Sequence, residues 1–305
     1  MTETKKDFID LTQFNKDELI FLIEDGINKK NMSSKNGMAS VDEDACAKNK
    51  ILATIFEKPS TRTRFSFETA MYQLGGKTIY ANMSDMQLGR GETIDDTAKV
   101  ISRYVDIAML RTNKHSTLEN FAKNASIPVI NGLTDKSHPC QVLADLITVK
   151  EKIGDIENKS YVWFGPANNM LTSWIHAAQI IGFELRICSP KDYSVDNNLV
   201  SGFPNITTDL DPNDAAKDCD CIITDTWFSM GEDDNDKKRK ILEPYKVDSN
   251  KISMASSDTI FLHCLPAHRG EEVDADVIDG VNSVVWDEAE NRVHAQKSII
   301  RWCLS

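Results

Sequence analysis

The residues that most clearly suggest a binding site lie in one short segment, Ser60-Thr61-Arg62-Thr63-Arg64. Ser60, Thr61 and Thr63 each offer a hydroxyl group, and Arg62 and Arg64 each offer a guanidinium group. Such groups bind phosphate oxygens well, and the planar fork of arginine can donate two parallel hydrogen bonds. The segment is therefore typical of a site that binds phosphate.

The flanking sequence predicts where this segment lies in the fold. Residues 51–56 are apolar and partly β-branched, which favours a buried strand, and the spacing from Phe65 to Leu74 favours a helix that ends at Gly75-Gly76. The hydroxyl groups then lie at a helix N-terminus, where free backbone N–H groups and the helix dipole favour an anion. The alternative is an ordinary Ser/Thr cap beside two solvated arginines, but the density of donors favours the phosphate site.

Other polar residues recur directly after predicted strands in both halves of the chain. They are Arg111, Asn168 with Asn169, Asp225 and Cys264. Ligands of open parallel sheets bind beyond the carboxyl ends of the strands. The repeated position of these residues predicts one active site between two sheets.

His138 and Gln141 form a further candidate pair in the segment His138-Pro139-Cys140-Gln141. Proline suits the first position of a helix, and residues three apart share a helix face. The imidazole and the amide can then point at one carbonyl group. A histidine in this position is also often a simple cap or a solvated surface residue.

Cys264 admits two interpretations. A nucleophilic thiolate that forms a thioester would need an activating base, and His263 or His268 could serve. A binding role through sulfur and backbone is the favoured interpretation, because a phosphate site implies a substrate that is already activated for transfer. Most of the other cysteines are expected to be small buried residues.

Composition excludes several classes of protein. The 305 residues carry a net charge of −12, with 41% hydrophobic and 27% charged residues, which is typical of a soluble globular protein and unlike a nucleic-acid-binding surface. No apolar run is long enough for a membrane helix, and the polar N-terminus lacks a signal-peptide core. We expect a cytoplasmic protein that has no membrane or nucleic-acid partner.

The cysteine and glycine patterns predict neither a metal site nor a dinucleotide site. The seven cysteines are scattered without the spacing of a zinc site or a disulfide framework. The glycine motif of dinucleotide-binding proteins is absent after the apolar run 161–164, which argues against a dehydrogenase.

Apolar periodicity predicts an α/β protein with two domains, each a mainly parallel sheet flanked by helices. A capping box at Asn15 and Glu18 begins the first helix, and residues 29–50 are expected to form a loop. A long helix pattern over residues 142–153 marks the junction, a charged loop is expected over 232–240, and a terminal helix is expected from 289 to 304. The remaining strands are predicted at residues 107–110, 128–130, 161–164, 185–188, 221–224, 260–263 and 283–286.

Five motifs in this order resemble those of the transcarbamoylases, and within them those of the ornithine-using group. They are Ser-Thr-Arg-Thr-Arg at 60–64, Asp-Met-Gln-Leu-Gly-Arg-Gly-Glu at 85–92, His-Pro-Cys-Gln at 138–141, Asp-Thr-Trp-Phe-Ser-Met-Gly at 225–231 and His-Cys-Leu-Pro at 263–266. The first and third indicate carbamoyl phosphate, whereas the last two favour ornithine. One departure is Pro166, which stands where the family commonly has aspartate and leaves the local turn uncertain.

The resemblance implies a role for each matching residue. Carbamoyl phosphate would be bound by Ser60, Thr61, Arg62, Thr63, Gln87, Arg111, His138, Gln141, Cys264, Leu265 and Arg292. Ornithine would be bound by Asn169, Asp225, Ser229 and Met230, and Arg111, His138, Cys264 and Arg292 would take part in catalysis. No metal or organic cofactor is implied.

The resemblance also implies the domain roles, the reaction and the assembly. Residues 1–148 would bind carbamoyl phosphate, residues 149–288 would bind ornithine, and residues 289–305 would form a helix that returns to the first domain. The reaction would be transfer of the carbamoyl group to the δ-amine of ornithine, giving citrulline and phosphate. Family members are homotrimers in which Gln87 can approach a neighbour's site, and they serve arginine metabolism, either synthesis or degradation.

Three further hypotheses follow from the sequence. The loop from Ser229 to Lys240 contains little apolar surface and would close over the bound substrates. A transcarbamoylase for another amine is the nearest rival enzyme. A catalytically silent anion-binding or regulatory protein of the same fold is the rival from another class.

Overall fold

The computed structural model describes residues 5–33, 37–86, 91–228 and 235–305, and the chain divides into two compact units. Unit 1 consists of Met1–Ile147 with Glu290–Ser305, and unit 2 is Thr148–Ala289. The domain boundaries predicted from the sequence lie after residues 148 and 288. In the part of the chain that the structure describes, no helix has both the length and the apolar character that crossing a membrane requires.

Unit 1 contains a parallel sheet of four strands in the order β2-β1-β3-β4. Its strands are β1 (Ile51–Phe56), β2 (Lys77–Asn82), β3 (Ile107–Arg111) and β4 (Val129–Leu133). Its helices are α1 (Lys16–Ser33), α2 (Thr61–Gln73), α3 (Ile94–Ile101), α4 (His115–Asn124) and α5 (Pro139–Ile153), whose range extends beyond the unit boundary.

Unit 2 contains a parallel sheet of five strands in the order β7-β6-β5-β8-β9. Its strands are β5 (Ser160–Phe164), β6 (Glu184–Cys188), β7 (Ile206–Thr207), β8 (Cys221–Thr224) and β9 (Ile260–His263). Its helices are α6 (Asn169–Ile181), α7 (Asn197–Val200), α8 (Asp236–Leu242), α9 (Ser249–Met254) and α10 (Ala275–Ile278). The last helix, α11 (Val285–Leu304), begins in this range.

The predicted fold class is confirmed, because each unit is built on a parallel sheet flanked by helices. The capping box also forms: the backbone N–H of Asn15 donates to Glu18 over 2.9 Å, and the backbone N–H of Glu18 donates to the Asn15 side chain over 3.0 Å. The strands β1, β3, β5, β8 and β9 are buried along nearly their whole length, as runs of apolar residues in a parallel sheet require.

Some predicted elements were wrong. Residues 283–286 do not form a strand: Ser283 makes one isolated bridge to Phe261, and α11 already begins at Val285. The short apolar run 284–286 fits a strand or a buried helical turn equally well, so periodicity could not separate them. Two expected loops also contain helix, since α1 continues to Ser33 and α8 covers Asp236–Leu242.

The C-terminal part of α11 packs within unit 1, as predicted. The Trp302 ring lies 4.9 Å from the Phe14 ring, and the Ser298 hydroxyl donates to the Leu22 carbonyl over 2.9 Å. The fully buried Lys297 amine lies 2.9 Å from both carboxylate oxygens of Asp42. Buried ion pairs require good geometry, because water no longer solvates either charge. These contacts position Arg292, five residues before Lys297, inside unit 1.

Candidate active site

The predicted phosphate corner lies at the start of α2. Strand β1 ends at Phe56, Ser60 is the N-cap of α2, and the Ser60 hydroxyl accepts from the backbone N–H of Thr63 over 3.4 Å. The same hydroxyl donates to the Thr63 side chain over 3.1 Å. The first turn of α2 thus presents backbone N–H groups, hydroxyl groups and the positive end of the helix dipole together.

The buried hydroxyl of Thr63 is the meeting point of two guanidinium groups in unit 1. Arg111, the last residue of β3, donates from Nη1 to Thr63 Oγ1 over 3.0 Å. Arg292, on α11, donates from Nη2 to the same oxygen over 3.5 Å. Arg111 and Arg292 are both buried, so the site concentrates positive charge where water is largely excluded.

Gln141 connects α5 to this cluster. Its side-chain oxygen accepts a hydrogen bond from Arg292 Nη1, and its amide nitrogen donates to Asp145 Oδ1 over 2.8 Å. Asp145 therefore fixes which end of the amide faces Arg292. Sequence reasoning missed Asp145, although it lies four residues after Gln141 on the same helix face, and that spacing was the available signal.

His138 immediately precedes α5 and is buried beside the same charges. Burial lowers its pKa well below the usual range, and the positive charges of Arg292, Arg111 and Arg62 lower it further. The imidazole is therefore neutral at pH 7. A neutral imidazole can donate one hydrogen bond to a carbonyl oxygen without bringing another cation into the cluster.

The other members of the segment 60–64 differ in their environment. Thr61 is exposed and Arg62 is partly exposed. Arg64 turns away from the corner, because it pairs with Glu68 at 2.9 Å and stacks on Tyr80 at 4.1 Å. Of the two arginines that the sequence placed at the corner, only Arg62 acts electrostatically on His138.

Cys140, between His138 and Gln141, is a buried filler. Burial raises the pKa of its thiol to about 12, and the thiol donates to the Asn131 carbonyl over 3.2 Å. It therefore stays protonated at neutral pH and contributes packing, as expected from the sequence.

In unit 2 the buried carboxylate of Asp225 collects three donors. Its Oδ2 accepts from the Asn168 amide over 2.8 Å, and its Oδ1 accepts from the Thr226 backbone N–H over 2.8 Å and from the Cys264 thiol over 3.1 Å. Asp225 and Cys264 directly follow β8 and β9, so the predicted convergence of strand ends is confirmed for these two residues. A carboxylate beside a thiol suits recognition of an amino group.

The turn around Pro166, whose conformation the sequence did not predict, is well defined. Gly165 has φ of +121°, a conformation suited to glycine, and the Asn168 side chain caps α6 by accepting from the N–H groups of Met170 and Leu171. The Asn168 amide also donates to Asp225, a contact that the sequence did not predict, and Asn169, the predicted ornithine ligand, is the first residue of α6.

His263 is unsuited to act as the base that would activate Cys264. Its Nδ1 accepts from the Leu265 N–H over 2.9 Å, and its Nε2 lies 3.1 Å from Glu272 Oε1. Ligand atoms of Asp225, His263 and Cys264 lie within 4.8 Å of one another, which is a metal-like grouping. Because both nitrogens of His263 are already engaged, this grouping offers only a carboxylate and a thiol, whereas a structural zinc site needs four ligands.

Three predicted ligands, Gln87, Ser229 and Met230, lie outside the described residues. The closing loop predicted for residues 229–240 lies outside the described residues in its first half, 229–234. Leu265 is partly exposed, directly after Cys264, and has a backbone φ of +57°.

Comparison with known proteins identifies related sequences over nearly the whole chain. Residues 6–151 match the carbamoyl-phosphate-binding domain of aspartate/ornithine carbamoyltransferases, and residues 157–303 match their aspartate/ornithine-binding domain. The ornithine carbamoyltransferase of Caulobacter vibrioides is 50% identical over 302 residues, which cover 97% of this chain and 96% of the relative.

Two solved structures show the same fold. The ornithine carbamoyltransferase of Burkholderia thailandensis superposes with a TM-score of 0.88 at 44% identity, covering 98% of each chain. The anabolic ornithine carbamoyltransferase of Campylobacter jejuni superposes with a TM-score of 0.89 at 39% identity, also covering 98% of each chain.

We expect Thr63→Val to weaken binding of inorganic phosphate by about 10- to 100-fold, the usual effect of losing a hydrogen bond to a charged group. Valine keeps the shape of threonine but removes the oxygen that accepts from Arg111 and Arg292. Isothermal titration calorimetry provides the measurement. Thr69→Val makes the same change farther along α2 and should leave phosphate affinity unchanged; equal losses in both variants would contradict the role of Thr63.

Proposed function

The chain belongs to the aspartate/ornithine carbamoyltransferase family, and from this premise we propose that it transfers the carbamoyl group of carbamoyl phosphate to the δ-amine of L-ornithine. The products are L-citrulline and phosphate. The observation that carries the proposal is the convergence of Arg111 and Arg292 on the hydroxyl of Thr63, beside Gln141. This cluster has the charge and the donors that a phosphorylated carbonyl compound requires.

In unit 1 the start of α2 binds the phosphate group. Ser60, Thr61, Arg62 and Thr63 donate to its oxygens, and the helix N-terminus adds its dipole. Arg111 spans the phosphate and the carbonyl oxygen, while His138, Gln141 and Arg292 surround the carbamoyl group. Gln87 is assigned to the same substrate on the family pattern.

The chemistry is attack by the amine nitrogen on the carbonyl carbon, followed by departure of phosphate. Negative charge develops on the carbonyl oxygen, and donors already aimed at that oxygen stabilise it by several kcal/mol, roughly 3–4 per well-placed group. Arg111 and the neutral imidazole of His138 supply these donors. Arg62 and the N-terminus of α2 stabilise the phosphate that leaves.

In unit 2 Asp225 binds the α-amino group of ornithine, with Asn169, Ser229 and Met230 as further ligands. The δ-amine resembles a lysine amine, whose ordinary pKa is about 10.4, so most of it is protonated at neutral pH and cannot attack. Binding must select the neutral amine. The Cys264 thiol and Leu265 lie beside that amine, and the phosphate that leaves is a suitable acceptor for its proton.

We assign the reaction to arginine biosynthesis in the cytoplasm. The related enzyme of Campylobacter jejuni is described as anabolic, which supports the biosynthetic direction. No disulfide joins the seven cysteines, all of which lie within the described residues, and this is usual for a protein of a reducing compartment.

The assembly proposed is a homotrimer, supported by an apolar surface on unit 1. The edge strand β2 and the neighbouring helix α2 expose four large side chains: Phe65, Tyr72, Ile79 and Tyr80. Exposed apolar groups on an edge strand favour association with another chain. The family pattern makes that chain a second copy of this protein.

The function is tested by offering carbamoyl phosphate with ornithine, aspartate or putrescine and measuring the carbamoylated product. Only ornithine should react, giving citrulline. Asp225→Asn should raise the KM for ornithine about 10- to 100-fold, the usual effect of losing a hydrogen bond to a charged group, because the carboxylate charge that pairs with the amino group is lost.

Carbamoyl phosphate binding to Asp225→Asn, measured without ornithine, should match that of the wild type. Asp192→Asn, an exposed change in the same unit, is the control and should leave KM unchanged. Equal weakening of both substrates by Asp225→Asn would reject its assignment to ornithine. Absence of citrulline from the wild-type protein would reject the function.

The trimer is tested by sedimentation velocity. The wild-type protein should sediment at three times the chain mass of 34.2 kDa. Ile79→Lys, at a side chain 50% exposed on β2, should shift the mass to that of one chain, because an interface cannot bury an unpaired amine. Phe21→Lys, at a side chain 60% exposed on α1, should leave the trimer intact; a wild-type mass of one chain would contradict the proposal.

A further inference from the structure

The imidazole of His263 is completely buried at the end of β9, and both of its nitrogens are engaged. Nδ1 lies 2.9 Å from the backbone nitrogen of Leu265, and Nε2 lies 3.1 Å from Glu272 Oε1. A backbone N–H can only donate, so Nδ1 must be an acceptor and carry no proton. The proton of the neutral ring is then on Nε2, where it is donated to Glu272.

Glu272 is suited to fix this tautomer. Its side chain is fully buried, and its Oε1 also accepts from the backbone N–H of His268 over 2.6 Å. Burial opposes ionisation of this carboxyl group, but the hydrogen bonds from His263 and from the His268 backbone outweigh burial and lower its pKa. As a carboxylate, Glu272 can only accept, so it requires a proton on His263 Nε2.

Leu265, the residue that Nδ1 holds, has a left-handed backbone with φ of +57°. This conformation is disfavoured for a residue with a Cβ atom and persists where surrounding contacts impose it. The hydrogen bond to His263 is one such contact. Cys264, which lies between His263 and Leu265 in the sequence, donates a hydrogen bond from its thiol to Asp225 over 3.1 Å.

We infer that His263 is a positioning residue for the reaction: Glu272 holds its imidazole as the Nε2–H tautomer, and Nδ1 then holds the Leu265 backbone so that the Cys264 thiol stays on Asp225. The inference rests on the proposed function for its kinetic consequence. It assigns His263 a role without proton transfer to or from Cys264. The two contacts use different nitrogens of the imidazole, so substitutions can separate them.

Two substitutions of His263 each keep one of its contacts. The amide oxygen of asparagine can occupy the position of Nδ1 and accept from Leu265, whereas the amide nitrogen of glutamine can occupy the position of Nε2 and donate to Glu272. His263→Asn therefore retains the contact that positions Cys264, and His263→Gln loses it. We expect kcat for citrulline formation to be about 10- to 100-fold lower in His263→Gln than in His263→Asn, the usual effect of leaving a buried donor unsatisfied.

Affinity for inorganic phosphate should be unchanged in both variants, because the proposed phosphate ligands lie in unit 1. A merely structural histidine would lower thermal stability and kcat equally in the two variants, and that result would overturn the inference. Asp192→Asn, an exposed change in the same unit, is the control. Its kcat should stay within about twofold of the wild type, as is usual for a surface change.

The tautomer can be measured on the wild-type protein without any activity. Nitrogen NMR of protein labelled with ¹⁵N-histidine should show at pH 7 a protonated Nε2 and an unprotonated Nδ1 for His263, whose signal is assigned by its loss in whichever of His263→Asn and His263→Gln folds. A protonated Nδ1 would overturn the inference even if a variant fails to fold. Failure of the wild type to form citrulline would reject the proposed function and leave the tautomer result standing; citrulline formation with equal kcat in His263→Gln and His263→Asn would reject only the inference.

Discussion

The concentration of positive charge around the hydroxyl of Thr63 is the constraint on which unit 1 depends. Guanidinium groups are costly to bury, because they lose water that solvates their charge. Arg111 and Arg292 are nevertheless both buried, and they meet at a neutral hydroxyl oxygen. An anionic substrate that enters this site finds donors already oriented, so little reorganisation is needed when it binds or reacts.

Building that cluster requires segments that are far apart in the chain. Thr63 comes from the first turn of α2, Arg111 comes from the end of β3, and Arg292 comes from α11. Arg292 lies 229 residues after Thr63 in the sequence. The Lys297 to Asp42 pair helps to hold α11 in unit 1. The charge cluster also determines the state of His138, whose pKa is lowered by burial and by the surrounding arginines. Fold and chemistry are thus linked through one group of charges.

Much of this site could be predicted from the sequence because its signals are local. An apolar run followed by hydroxyl residues marks a strand that enters a helix, and this placed Ser60 and Thr63 correctly. The positions of Arg111, Asp225 and Cys264 followed from the rule that strand ends carry the ligands. Helical periodicity and the capping box predicted α1 because these signals are also local in the sequence.

The remaining features depend on contacts that no local pattern encodes. Arg64 belongs to the same motif as Arg62, yet Glu68 and Tyr80 hold it away from the corner. Asn168 uses its amide nitrogen for Asp225 and its amide oxygen to cap α6, and nothing in the sequence indicates that one side chain serves both contacts. The left-handed Leu265 donates its backbone N–H to a buried imidazole, and leucine itself gives no signal for that conformation.

The most direct test of the charge cluster is the protonation state of His138 as a function of pH. Nitrogen NMR of ¹⁵N-histidine-labelled protein, assigned with a His138 variant, can follow its ring between about pH 8 and pH 5.5, on either side of the ordinary histidine pKa of about 6.5. Because burial and three arginines disfavour the imidazolium, the ring should remain neutral throughout. A titration centred near the ordinary value would show that the charges do not converge on His138, and would contradict the account.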